Sequence, residues 1–226
     1  WAAKPRRALV TAPTFAEYAA ALESAGCAVR RHFLQAEVDF AVTDSILSSI
    51  TPEVDMVFLC QPNNPTGQLT PLPLVERILR RCEACGALLV VDECFLDFLP
   101  DCDTLTAKAL LDSKNLLILK AFTKLYGMAG VRLGYCLCAN TALLEAMQAA
   151  GQPWAVSSLA QAAGLAALDE TAYVAQVRAL IAQQQPRLTA GLRALGLRVL
   201  DGRANYLLFQ GLETLGDALR QRGVVR

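Results

Sequence analysis

Three short segments of this chain are apolar almost end to end: Met56–Cys60, Leu88–Val91 and Leu116–Lys120, the last polar only at its final residue. A run this short, bounded by turn residues, is a strand buried on both faces, and such strands belong to parallel sheets covered by helices on each side. Helix-like segments alternate with them. Leu72–Cys85 is amphipathic and stops at Gly86, a residue suited to the left-handed helix end. Phe15–Ala25 carries one apolar face, and Thr43–Ile50 has Thr43 as a candidate cap. Further strands are expected at Arg7–Thr11, Ala28–Phe33 and Arg132–Cys138. The pattern predicts an α/β fold with a mostly parallel sheet between two helical layers.

Such a sheet places ligands outside the carboxyl ends of its strands. The unusual polar residues fall there. Asn64 follows one strand, Asp92 ends the next, and Lys124 follows the one after. A carboxylate at the end of a buried strand needs a cation or a cap. Asp92 can therefore be a ligand-binding group, a helix cap or half of a structural ion pair. Asn64-Pro65-Thr66-Gly67 reads as a tight turn, or as a turn that presents Asn64. Lys124 lies in a loop with Gly127 and Gly130, after the hydroxyl of Thr123 and before Arg132. Lys120 is a rival lysine at a strand end, without a hydroxyl before it. Phe15 stands at a helix start, where an aromatic packs in the core or stacks on a planar ligand.

The second half changes character. Ser157–Leu168 and Thr171–Leu195 are rich in Ala and Gln and read as helices. Arg198–Leu200 and Tyr206–Phe209 read as strands, Leu212–Arg222 as a helix, and Gly223-Val224-Val225 as the beginning of a strand. The expected organisation is a large domain over residues 1–170, then a connecting helix and the start of a small α+β domain over 171–226. Both ends read as cut.

Composition removes several classes. The formal net charge is zero and no Lys/Arg run forms a basic stripe, which argues against a nucleic-acid partner. The apolar stretches are too short and interrupted for a membrane span, and no secretory leader opens the chain. Of the eight cysteines, Cys82 and Cys85 have redox or zinc spacing, but they lie inside an amphipathic run and the one histidine, His32, is distant in sequence. The expectation is no metal, and reduced cysteines in a cytoplasmic protein.

Four blocks in order carry a resemblance: Pro13–Tyr18, Pro62–Gly67, Val91–Phe98 and Lys120–Tyr135. Together they resemble the fold-type-I pyridoxal-phosphate (PLP) enzymes of the class I/II aminotransferase superfamily. Within it the chain resembles the histidinol-phosphate aminotransferase group, and within that the threonine-phosphate decarboxylases of cobalamin synthesis. The narrower likeness rests on Asp92–Phe98, with Phe95 where aminotransferases place a tyrosine, on Gln152–Ser157 and on Gly202–Leu208. The resemblance implies a three-layer PLP-transferase large domain with part of a small α+β domain, working as a homodimer on an amino acid. It implies Lys124 as the Schiff-base lysine, Asp92 on the pyridine nitrogen and Asn64 on the phenolic oxygen. Phe15 would stack on the ring, Thr123 and Arg132 would hold the phosphate, and Tyr18 and Asn205 would lie near the substrate. It also implies a Gly-rich segment before Trp1 and a substrate-binding arginine beyond Arg226, so the chain is expected to be a piece of a longer enzyme. The reaction implied is decarboxylation of L-threonine O-3-phosphate to 1-aminopropan-2-ol phosphate. An aminotransferase of the histidinol-phosphate type is the alternative, and a non-catalytic fragment the third reading.

Overall fold

A computed structural model describes residues 3–224. The strands are β1 (Arg7–Ala12), β2 (Ala28–Phe33), β3 (Met56–Cys60), β4 (Leu88–Asp92), β5 (Leu116–Ala121) and β6 (Gly134–Leu137). They form one sheet in the order β2-β1-β3-β4-β5-β6, parallel except for β6, which runs antiparallel to β5. Alternate residues of each strand enter opposite layers, as the strand period of two requires. Leu9, Val57, Leu89 and Ile118 pack under α3 (Leu72–Cys85) with its Val75, Ile78 and Cys82. Val10, Met56, Val90 and Leu117 pack on the other side under α1 (Glu17–Ser24) with Tyr18 and Leu22. This is the expected three-layer α/β architecture.

α3 closes as its sequence predicts, with a proline in its first turn and Gly86 at φ +71° beyond its last residue. Other boundaries differ. α1 begins at Glu17, so Phe15 lies in the turn before it. The predicted helix at Thr43–Ile50 shrinks to the single turn α2 (Ile46–Ser49), and the Thr43 hydroxyl meets that of Ser45 (2.8 Å) instead of capping a backbone N–H. β6 is shorter than the predicted 132–138, because Arg132 turns left-handed at φ +58°.

The one-turn helix α4 (Cys102–Leu105) precedes β5, and the one-turn helix α5 (Phe122–Leu125) follows it. Then follow α6 (Thr141–Ala150), α7 (Ser158–Asp169) and the 24-residue α8 (Thr171–Ala194). α8 runs through Pro186, whose missing N–H leaves one carbonyl without its helical donor. Two short antiparallel strands, β7 (Arg198–Val199) and β8 (Phe209–Gln210), and α9 (Leu215–Gln221) complete the described chain. The second of these strands was expected at Tyr206–Phe209. The strand predicted at Gly223–Val225 is not formed at Gly223 and Val224, and Val225 lies outside the described residues, as does Trp1.

Candidate active site

The strand order reverses at β1: β2 lies on one side of it and β3 on the other. Loops leaving β1 and β3 therefore diverge and open a crevice at the carboxyl edge. A cleft of about 320 Å³ occupies that edge. Phe15 and Tyr18 reach it from beyond β1, Cys60 and Asn64 from the end of β3, Asp92, Cys94 and Phe95 from β4, and Thr123 and Lys124 from β5. Arg132 closes it from the loop before β6.

Two asparagines stand side by side in the turn after β3, and the fold uses them differently. Asn63 is buried and saturated. Its side chain accepts from the Thr14 hydroxyl (2.6 Å) and donates to the Pro13 carbonyl (3.0 Å) and to Thr66 Oγ1 (3.0 Å). Asn64 makes no side-chain hydrogen bond among the described residues and faces the cleft. The turn is held from outside as well. Gly67, at φ +70°, lies against Gly202 so closely that a Cβ on Gly202 would stand 2.8 Å from the Thr66 carbonyl oxygen. The Arg203 N–H donates to the Gly67 carbonyl (2.7 Å), and the Tyr206 hydroxyl to the Asn63 carbonyl (3.0 Å).

Asp92 ends β4 with both carboxylate oxygens occupied by neutral donors. Oδ2 accepts from the Tyr18 hydroxyl (2.6 Å) and Oδ1 from the Cys94 N–H (2.9 Å). Burial, then the neighbouring Cys60 and Asp92, push the Tyr18 hydroxyl far up, so it remains a donor. Burial, reinforced by Asp92, raises the Cys60 thiol to about 11 and the Cys94 thiol further still. Both cysteines stay neutral at pH 7, and the negative charge at this point belongs to Asp92.

The opposite charge comes from Lys124 and Arg132. Lys124 lies in α5, its Nζ 5.2 Å from the centroid of the Phe95 ring. Arg132 adopts a left-handed backbone that costs a non-glycine residue about 1 kcal/mol or more, and its Nη1 donates to the Ala129 carbonyl (3.0 Å). Among the described residues, no ion pair involves Asp92, Lys124 or Arg132. A carboxylate and two cations thus line one cleft without neutralising one another. A ligand that complements them carries a cation for Asp92 and an anion for Arg132.

The rival lysine has a different position. Lys120 is buried, with Nζ 2.6 Å from Asp97 Oδ1 and 3.4 Å from Glu93 Oε2. Burial alone lowers its pKa, but the Asp97 hydrogen bond and the charges of Asp97 and Glu93 overcome this and raise it. Glu93 is fully buried and also accepts from Thr106 Oγ1 and the Ala107 N–H, each at 2.7 Å.

Six of the sequence-predicted residues therefore meet in the cleft: Phe15, Asn64, Asp92, Thr123, Lys124 and Arg132. Tyr18 meets it from beneath, buried against Phe58 (ring centroids 5.0 Å apart) with its hydroxyl on Asp92. Asn205 is not brought there; it is exposed and lines a separate hollow beside α8, with Ile181 and Leu188. Its neighbour Tyr206, which sequence reading passed over, packs edge-on against Phe95 (5.1 Å). The only sequence signal for it was an aromatic next to Asn205 in an otherwise apolar stretch.

The chain matches the family described as aminotransferase class I and II over residues 1–226. It is 40% identical over 208 residues to a threonine-phosphate decarboxylase of Salmonella typhimurium, covering 92% of this chain and 57% of that protein. It is 34% identical over 201 residues to a histidinol-phosphate aminotransferase of Methanococcoides burtonii, covering 88% and 52%. The chain thus spans little more than half the length of these relatives. The crystal structure of the histidinol-phosphate aminotransferase from Clostridium acetobutylicum has the same fold, with a TM-score of 0.90 at 24% identity over 99% of this chain and 68% of that one. The family depends on pyridoxal phosphate, whose protonated ring nitrogen and phosphate are the cation and anion that the cleft's unpaired groups call for. The chain belongs to the class I and II aminotransferase family.

Proposed function

We propose that this chain carries the cofactor-binding part of a pyridoxal-phosphate enzyme that decarboxylates L-threonine O-3-phosphate to 1-aminopropan-2-ol phosphate. The observation that carries the cofactor assignment is the set of unpaired charges, Asp92 against Lys124 and Arg132, in one cleft. Asp92 would hold the ring nitrogen in its protonated form, and Tyr18 keeps that carboxylate aimed. Arg132 and Thr123 would bind the phosphate, Asn64 the phenolic oxygen, and Phe15 a face of the ring. Lys124 is the residue that would carry the covalent link. Bound cofactor supplies an electron sink for the pair left on an amino acid's Cα when a bond there breaks.

Lys124 Nζ then has one task, moving a proton at Cα. In decarboxylation the carboxylate leaves as CO2, its bonding electrons stay on Cα, and Lys124 delivers a proton to that carbon. In transamination Lys124 removes the Cα proton instead. The 40% identity to a threonine-phosphate decarboxylase, against 34% to a histidinol-phosphate aminotransferase, supports the first. So does Phe95, which leaves the cleft without a hydroxyl at that position. Residues 1–170 are read as the cofactor domain and 171–226 as the connecting helix and part of a second domain. The whole protein is read as a cytoplasmic homodimer. Among the described residues, no helix is long and apolar enough to cross a membrane.

The test is incubation with pyridoxal phosphate and threonine phosphate. Release of CO2 with 1-aminopropan-2-ol phosphate is expected. Glutamate formed from 2-oxoglutarate without CO2 would establish the aminotransferase reading. Borohydride treatment should fix the cofactor on the Lys124 peptide and leave none fixed in Lys124→Ala. A label retained by that variant would overturn the lysine assignment, and no bound cofactor in the wild type would leave the non-catalytic reading.

A further inference from the structure

Helix α8 touches the cleft at no point, yet its polar side chains end beside both groups that face each other across it. The Tyr173 hydroxyl donates to the Leu125 carbonyl (3.2 Å), one residue after Lys124. The Tyr173 ring also continues a stack through Tyr126 (6.3 Å, 20°) to Phe122 (5.5 Å, 24°), which brackets Lys124 in sequence. Five residues on, about 7.5 Å along the helix axis, Arg178 reaches the other wall. Its Nε and Nη2 both donate to the Asp97 carbonyl (3.1 and 2.9 Å), two residues after Phe95.

Arg178 is unusual in what it chooses. It is half-buried and, among the described residues, has no carboxylate partner; its donors go to one carbonyl and to Cys102 Sγ (3.3 Å). A guanidinium can place two parallel N–H groups on a single oxygen, and an ammonium cannot. The same Asp97 is fixed from its side chain by Lys120. The turn carrying Phe95 is thus clamped between β5 and α8, while the Phe95 ring packs against the rings of Phe98 and Tyr206 and lies 5.2 Å from Lys124 Nζ.

We propose that Arg178, seconded by Tyr173, is a positioning residue that sets the separation of the Phe95 and Lys124 walls, and so the alignment of Lys124 with the cofactor ring. This rests on the pyridoxal-phosphate reading above. Its consequence is specific to covalent attachment. Pyridoxal phosphate can link to a lysine; pyridoxamine phosphate, with an amine in place of the aldehyde, cannot. The ratio of their affinities reads the alignment of Lys124, whereas loosening of the fold weakens both together.

Both dissociation constants are measured by fluorescence titration for the wild type, Arg178→Ala, Arg178→Lys and Tyr173→Phe. The preference for pyridoxal phosphate should fall about fivefold in both Arg178 variants, because lysine cannot restore the fork, and about twofold in Tyr173→Phe. Tyr173→Phe keeps the ring stack and Arg178→Lys keeps the charge, so the test survives if Arg178→Ala fails to fold. An unchanged ratio in folded variants would overturn the inference and leave α8 a structural strut, while the cofactor reading stands. A wild type with no preference between the two compounds would overturn the covalent link at Lys124 and this inference with it, and a wild type that binds neither would overturn the cofactor reading itself.

Discussion

Asp92 and Glu93 are neighbours in sequence, and Lys120 and Lys124 are four residues apart, yet the four divide into two regions of opposite character. On the inner side of the β4 and β5 ends, Glu93 and Lys120 are buried together and every charge has a partner. On the cleft side, Asp92 and Lys124 have no ionic partner among the described residues. Asp92 is the last residue of β4 and Glu93 the first beyond it, so one peptide bond separates a carboxylate that lines the cleft from one that is buried and paired. The difference teaches what leaves a charge available to a ligand: charges are paired and dry on one side, unpaired and open on the other.

The largest effect should come from breaking the inner side. Lys120→Met strands the Glu93 carboxylate in the core and should cost about 3–5 kcal/mol in urea denaturation. The pH dependence has a definite sign. Because the folded pKa of Lys120 is raised above 10.5, its contribution is complete below pH 10.5 and decays as pH climbs through the folded value. Lys120→Met should lose that alkaline decay. A variant as stable as wild type would show that the pair does not hold the turn.

Asp92→Asn tests the cleft side. Its neutral partners, Tyr18 and Cys94, can still bond to an amide, so stability should change by no more than about 1 kcal/mol. Affinity for pyridoxal phosphate should fall by about 2 kcal/mol, or some thirtyfold, since a charge-assisted contact is lost. Equal losses of stability and affinity would erase the division between the two sides. Tyr18→Phe is the milder version. It removes one donor to Asp92 and keeps the ring against Phe58, so affinity should weaken by about 1 kcal/mol, with CO2 release slowed in proportion.

The smallest effect serves as a control away from both sides. His32, the one histidine, meets the hydroxyls of Ser49 (2.9 Å) and Ser45 (3.3 Å) at the β2 edge. Burial, then the Arg30 charge, lowers its pKa below 6.5. Its neutral form is therefore favoured in the folded state. That stability is present above pH 6.5 and erodes below it, as the unfolded chain takes up the proton first. Solvent screening keeps the loss well under about 1 kcal/mol. His32→Gln should flatten the fall in melting temperature as pH drops below 6.5 and leave cofactor affinity untouched. An affinity change would tie the sheet edge to the cleft.

Much of this was legible from local pattern. The strands β2 and β3 and helix α3 fall at their predicted bounds, because strand and helix periods and a glycine stop are local signals. Phe15, Asn64, Asp92, Thr123, Lys124 and Arg132, the residues proposed to hold the cofactor, line one cleft, because a parallel sheet delivers consecutive strand ends to one edge. What was not legible depended on partners distant in sequence. Thr43 offered a cap that the one-turn α2 does not use. Asn205 looked like a site residue and lines another hollow, while Tyr206 reaches the cleft wall from 142 positions beyond Asn64 in the sequence.

The sequence by itself determined the layered α/β sheet and the order in which Asn64, Asp92 and Lys124 arrive at its edge, since apolar period and turn chemistry are properties of neighbours along the chain. Only the tertiary structure decided that Asn63 is saturated while Asn64 is free, that Lys120 is neutralised while Lys124 is not, and that α8 grips both cleft walls. Whether a polar group is satisfied depends on which donors and acceptors the packed chain brings within about 3 Å of it. That information is not carried by any residue's own neighbours.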